Sequence, residues 1–165
     1  MNDARIRQAL HSRVIRYHHD SEKAMVIDEL GLHHGQARID IAVINGELSG
    51  FEIKSELDNL SRLHSQVDSY SSVFEKLTLV VAKKFLDPSL DIIPDWWGVI
   101  VADRGPRGGV HFERVRSNSR NNNVEPYALA MLLWRNEVIE LLRSIGYTGQ
   151  KLKGPRRYLY SHLVS

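Results

Sequence analysis

RIDIAVINGELSGFEIK, residues 38–54, reads as two strands joined by a tight turn. On the first strand, Arg38–Ile44, apolar Ile39, Ala42 and Ile44 recur, and Asp40 falls between Ile39 and Ile41. Asn45-Gly46 is a strong two-residue hairpin signal, because both central positions of a type I′ turn need positive φ. The returning strand is Glu47–Lys54, again with an acid among apolar neighbours. A register symmetric about Asn45-Gly46 sets Asp40 near Phe51 and Glu52, at the end of the ladder away from the turn. Glu52 and Lys54 are two residues apart and share one face.

Before the hairpin, Ile6, Leu10, Val14 and Tyr17 fall at helical spacing, which predicts an amphipathic helix over Ala4–Tyr17. A shorter helix is expected from Ser21 or Glu22 to Leu30, with Gly31 placed to end it. After the hairpin, Leu60, Leu63, Val67, Tyr70 and Phe74 form a buried stripe on a helix from Asp58, a fair N-cap. Strands follow at Lys76–Ala82 and Trp97–Ala102, with a last edge strand at Val110–Val115. The crossover through the long helix makes Glu47–Lys54 and Lys76–Ala82 parallel. Residues 117–123 form a polar link, Tyr127–Ile145 a long helix ended by Gly146, and Pro155–Leu163 a short final helix. The order implies an α/β chain with a mixed sheet. It divides into a core of residues 1–116 and a basic helical C-terminal extension, residues 117–165, packed on that core.

The 165 residues are enough for one ordinary core, and 42% apolar with 25% charged residues is a globular composition. No cysteine is present, which excludes disulfides, thiolate metal sites and cysteine nucleophiles. No apolar run is long enough to cross a bilayer and no secretory leader is evident, so a cytoplasmic location is expected. The net charge of +2 hides an asymmetry: residues 1–103 carry 11 Lys and Arg against 16 Asp and Glu, residues 104–165 carry 11 against 4. The last 25 residues hold no acid. Such a basic half suits a polyanion, and basic side chains alternate there with Tyr158 and Tyr160. Lys151, Lys153, Arg156 and Arg157 are the expected phosphate contacts.

Asp40, Glu52 and Lys54 have a specific physical job if they meet. Two hard oxygen ligands suit octahedral magnesium, with manganese as substitute, and the Ile53 carbonyl between Glu52 and Lys54 is a further candidate ligand. Lys54 would orient water or stabilise developing charge. The alternative is a pair of ordinary strand acids, with Lys54 paired to one of them. Both acids interrupt strongly apolar strands, where an uncompensated carboxylate is expensive. Gln66 and Tyr70 are four apart on one helix face, and Arg62 continues their row, forming a ridge beside the site.

Asp40 with Glu52-Ile53-Lys54 resembles the signature of the PD-(D/E)XK, or restriction-endonuclease-like, nuclease superfamily, with Ile39 standing where the signature has proline. Residues 29–81 and the stretch IPDWWGVI are similar to a bacterial and phage family of that superfamily. The resemblance implies a three-layer fold, a mixed central sheet flanked by helices, and magnesium-dependent hydrolysis of DNA phosphodiester bonds. It also implies that Glu29 is a third metal ligand or base on the helix before the sheet. Gln66 and Tyr70 resemble the Q-x-x-x-Y element that positions the scissile strand in RecB-type members. The expected function is thus a metal-dependent deoxyribonuclease acting on DNA, possible as a homodimer, with no membrane association. The alternative is a catalytically silent DNA-binding or protein-interaction module on the same fold.

Overall fold

A computed structural model describes residues 1–165 as one six-stranded sheet with helices on both faces. The strands are β1 (Met25–Leu32), β2 (Ala37–Ile44), β3 (Leu48–Lys54), β4 (Lys76–Ala82), β5 (Gly98–Arg104) and β6 (Val110–Arg116), in sequential order across the sheet. β1, β2 and β3 are antiparallel, β3, β4 and β5 parallel, and β6 is antiparallel to β5. The mixed sheet and the parallel β3–β4 pair are therefore as the sequence implies.

Alternation along the strands sends side chains into two apolar layers. Leu77, Leu79 and Val81 of β4 join Leu63, Tyr70 and Phe74 on one face, packed by helix α3 (Leu63–Ser71). Val80, Ile53 and Ile41 join Ile6, Ala9 and Leu10 on the other, packed by α1 (Asp3–Ala9). Gly50 makes room for the core: a Cβ there would overlap the tips of the Ile39 and Leu77 side chains, which would have to shift.

Five expectations need correction, four of them in the first 71 residues. The helix expected to end at Leu30 is instead edge strand β1, which its antiparallel pairing with β2 stabilises. The β2–β3 turn has three residues, not two: Ile41 pairs with Phe51 and Ile44 with Leu48, while Gly46 takes φ +95°. The helix over Ala4–Tyr17 is interrupted by a π turn at Leu10–Val14, before α2 (Arg16–His19). Helix α3 starts later than expected, because Asp58 caps no helix; its carboxylate accepts from the Ser55 N–H and hydroxyl. A short α4 (Leu86–Leu90) occupies the turn region before β5.

The long helix expected over Tyr127–Ile145 is two helices, α5 (Pro126–Ala130) and α6 (Arg135–Ser144). Trp134 is extended at the break, and its N–H donates to the Glu137 carboxylate at 2.6 Å, which restarts the helix. Gly146 ends α6 with φ +95°. The final helix is α7 (Arg156–Val164). Ala130, Val138, Leu142, Leu159 and Tyr160 form a small core of their own among α5, α6 and α7. The preceding linker is pinned to the sheet layer: the Asn121 side chain donates to the Ser71 and Phe74 carbonyls.

Candidate functional site: a polar cleft at the end of β3

Alternation slips where β1 and β2 face each other at Glu29 and Asp40. Ile27 and Leu30 pack on the same face although they are three apart, and so do Ile39 and Ala42. Glu29 absorbs the slip with φ 58°, a left-handed conformation that is strained for a non-glycine residue. Beyond Ile41–Phe51 the β2–β3 ladder ends. There Asp40 turns its carboxylate into the gap, and Oδ2 accepts the Ile53 N–H at 2.7 Å in place of a backbone carbonyl. The gap opens into a cleft of about 580 Å³, of whose 18 lining residues only 3 are hydrophobic, so it is built for polar contacts.

Most of the expected site residues meet here: Glu29, Asp40, Glu52, Ile53, Lys54, Arg62, Gln66 and Tyr70 all line the cleft. Glu52 and Lys54 are 3% exposed and joined at 2.9 Å, so this is a buried ion pair. Gln66 donates to Glu52 Oε1 at 2.7 Å. The Tyr70 hydroxyl lies 2.9 Å from Glu52 Oε2 and 2.7 Å from the Arg38 carbonyl, and shares its one proton between them. Burial, with the Glu52 charge beside it, pushes the Tyr70 phenol far above its usual range, so it stays a donor.

Asp40 is held from the other face of the sheet. Arg7, on α1, reaches the Asp40 carbonyl at 2.8 Å and its carboxylate at 2.9 Å, and also pairs with Asp3 and Glu29. Arg38 takes the second Glu29 oxygen at 2.6 Å. Burial lowers the Arg7 pKa, but Asp40, Asp3 and Glu29 together outweigh it and raise it. Burial and then the Glu52 charge push the Asp40 carboxyl up to about 7, in spite of the Ile53 hydrogen bond and Arg7.

Arg7 and Arg38 are the site residues that sequence reasoning missed. Arg7 lies on an amphipathic helix among Arg5, Arg13 and Arg16, and nothing in its spacing distinguishes it from them. Glu29 is in the cleft but on a strand, not on a helix. The basic residues Lys151, Lys153, Arg156 and Arg157 do not line this cleft. Arg156 lines a neighbouring recess that shares Gly31 and Gly35 with it.

The divalent ion expected from the sequence has a candidate donor set in this cleft. Asp40, Glu52 and the Ile53 carbonyl would be its oxygen ligands, yet Arg7 and Lys54 already supply positive charge to both carboxylates. No group of three or more His, Asp and Glu side chains is placed to hold a metal ion.

A protein-family model described as "Bacteriophage P4 protein cII" matches residues 1–162. Among curated proteins, "Protein cII" of Enterobacteria phage P4 is 31% identical over 125 residues, 76% of this chain and 47% of that protein. The chain therefore spans about half the length of this relative. No solved structure matches it. The chain belongs to the bacteriophage P4 protein cII family.

Family membership and the missing metal-ligand group overturn the nuclease expectation. The resemblance to the PD-(D/E)XK superfamily does not identify the family, and the restriction-endonuclease-like label gives way to the plainer one of a mixed sheet flanked by helices. Metal-dependent hydrolysis of DNA phosphodiesters is withdrawn for the cleft of Asp40, Glu52, Lys54, Glu29 and Gln66. The physical reason is that these side chains are already paired with one another, with Arg7 and with Tyr70. Two acids and a lysine on adjacent strands form a folding clamp as readily as a reaction centre, and the sequence motif is common to both.

Proposed function

We propose that this member of the bacteriophage P4 protein cII family is a catalytically silent DNA-binding module that presents its C-terminal helices to the phosphate backbone. The observation that carries this reading is the first turn of α7. Pro155 precedes the helix without a side-chain cap, and Arg156 and Arg157 open it. A helix N-terminus is already electropositive, so two cations there oppose the macrodipole. Nothing in the last 25 residues offsets them, for there is no acid among them. The first-turn N–H groups and the two guanidinium groups suit an anion such as a phosphate.

Further features agree with it. Lys151 sits over the Tyr147 ring at 5.3 Å, and Lys151, Lys153, Arg156 and Arg157 are all exposed. Tyr158 is 47% exposed beside them, available for contact with a sugar or base. Arg62 is exposed and makes no ion pair at the rim of the cleft, whose neighbouring recess Arg156 lines. A backbone crossing from α7 to that rim would meet cations at both ends. No helix is long and apolar enough to cross a membrane.

The test is binding of a labelled DNA duplex followed by fluorescence anisotropy. Arg156→Glu combined with Arg157→Glu is expected to weaken binding at least about tenfold, as loss of two phosphate contacts and added repulsion require. Absence of binding by the unaltered protein, or equal binding by the variant, contradicts the reading.

A further inference from the structure

Between the polar cleft and the first turn of α7 lies the recess that Arg156 lines, about 430 Å³ in volume. Leu132 and Leu133 make part of it aliphatic, Trp134 and His34 add aromatic surface, and no carboxylate lines it. Trp134 is 73% exposed. Its backbone restarts α6, a task open to any residue with an N–H, whereas the indole stands in water and forgoes the burial it could gain. His34 is exposed too, and its ring stacks on the buried Tyr160 with centroids 5.7 Å and planes 24° apart. Backbone strain sets it there: His33 and His34 are both left-handed, with φ 49° and 58°. Tyr160 also meets Tyr127 edge-on at 5.9 Å, and Arg156 lies four residues before Tyr160 on the same face of α7. Open rings and cations therefore interleave over one patch.

We propose that the recess stacks an unpaired base of single-stranded DNA on Trp134 and His34 while Arg156 holds the adjoining phosphate. The proposal rests on the DNA-binding reading of α7 and names the kind of DNA. In a duplex the bases are stacked on one another, so the open rings would gain nothing from it. An unpaired base offers a flat π-face whatever its identity, and sites for single strands combine such aromatic platforms with cations along the backbone. Charge selects the same occupant. Arg156 is the one Lys or Arg of the lining, and no carboxylate there opposes an anion. An apolar peptide would fill the aliphatic part but leave the guanidinium without a partner. The recess shares Gly31 and Gly35 with the polar cleft, at whose rim Arg62 is exposed. A strand leaving the recess toward the cleft therefore meets a second unpaired cation for a further phosphate.

The test compares three labelled DNAs of equal length by fluorescence anisotropy at one salt concentration: an oligothymidylate, an abasic strand with the same phosphates, and a duplex. The unaltered full chain is expected to bind the oligothymidylate at least about fivefold more tightly than the abasic strand, the value of one stacked base. Trp134→Ala is expected to lower oligothymidylate affinity to that of the abasic strand, and Trp134→Phe to keep most of the difference. The indole is largely in solvent, so far-UV circular dichroism of both variants is expected to match the unaltered protein. Equal affinity of the unaltered protein for oligothymidylate and abasic strand overturns the proposal without recourse to any variant. So does a folded Trp134→Ala that retains the difference. Duplex binding alongside equal affinity for the two single strands leaves the phosphate-contact reading of α7 standing and removes only the stacked base. Binding of none of the three removes both.

Discussion

The ten ion pairs of the protein all fall within residues 1–120, whereas the six Lys and Arg side chains of residues 121–165 make none. In the first region folding pairs the charges that surround the cleft. Arg7 gathers Asp3, Glu29 and Asp40, and Lys54 is buried against Glu52. In the second region the cations stand in solvent around a small apolar core, and two of them open a helix against its dipole. A charge that is already paired in the folded chain has little left for a ligand, and one that folding leaves unpaired is free for a partner. The motif that looked most chemical is paired within the fold, and the proposed function rests on the loose basic tail.

The contrast is broken most severely at Lys54. Lys54→Met leaves Glu52 buried without its counter-charge, which costs about 3–5 kcal/mol. For a chain of this size that lowers the melting temperature by roughly 10 °C, readable by calorimetry. A variant that melts like the unaltered protein would show that the pair is dispensable, and the cleft would need another role.

Asp40 tests the same region through pH. Its folded pKa, raised to about 7, exceeds the unfolded value near 3.8, so the folded state holds the proton more tightly. Stability is then greatest below the unfolded pKa, and falls as pH rises toward 7 while ionised Asp40 becomes a burden. Asp40→Asn removes that dependence and is expected to melt higher above pH 7, by up to a few kcal/mol in stability, with the advantage fading below about pH 4. Parallel melting curves at pH 4, 6 and 8 check the sign; an advantage that grows toward acid pH would refute it.

A smaller effect is expected at Tyr70. Tyr70→Phe keeps the ring among Phe74 and Trp97 but leaves Glu52 Oε2 and the Arg38 carbonyl without their donor. The loss is about 1–3 kcal/mol, measurable by urea denaturation. No loss would mean that water replaces the phenol and the cleft is wetter than its hydrogen bonds indicate.

Strands β2 to β6 were legible because each is a short apolar or alternating run bounded by turn residues, and the crossover rule fixes β3 and β4 as parallel. Strand β1 was not legible. Its alternation slips at Glu29, and Gly31 looks like a helix stop, so only the pairing with β2 reveals it. The break between α5 and α6 was equally hidden. Met131-Leu132-Leu133 favours helix, and the restart depends on Glu137 reaching back to a tryptophan that no capping rule would single out. In the cleft, the meeting of Asp40, Glu52, Lys54, Gln66 and Tyr70 follows from spacing and register. What they do there depends on Arg7 arriving from a helix thirty-three residues away on the other face of the sheet. That long-range contact leaves no local signal.

The division between a folded-in cleft and an outward-facing tail is tested most directly by the salt dependence of DNA affinity. The slope of log affinity against log salt is to be compared for the unaltered protein, Asp40→Asn, and a variant with Lys151, Lys153, Arg156 and Arg157 all changed to Ala. The tail variant is expected to lose about three to four units of slope, near 0.9 per phosphate contact, while its melting temperature hardly moves. Asp40→Asn is predicted to bind with an unchanged slope. An unaltered slope in the tail variant, or loss of DNA binding in Asp40→Asn with the fold intact, would contradict it.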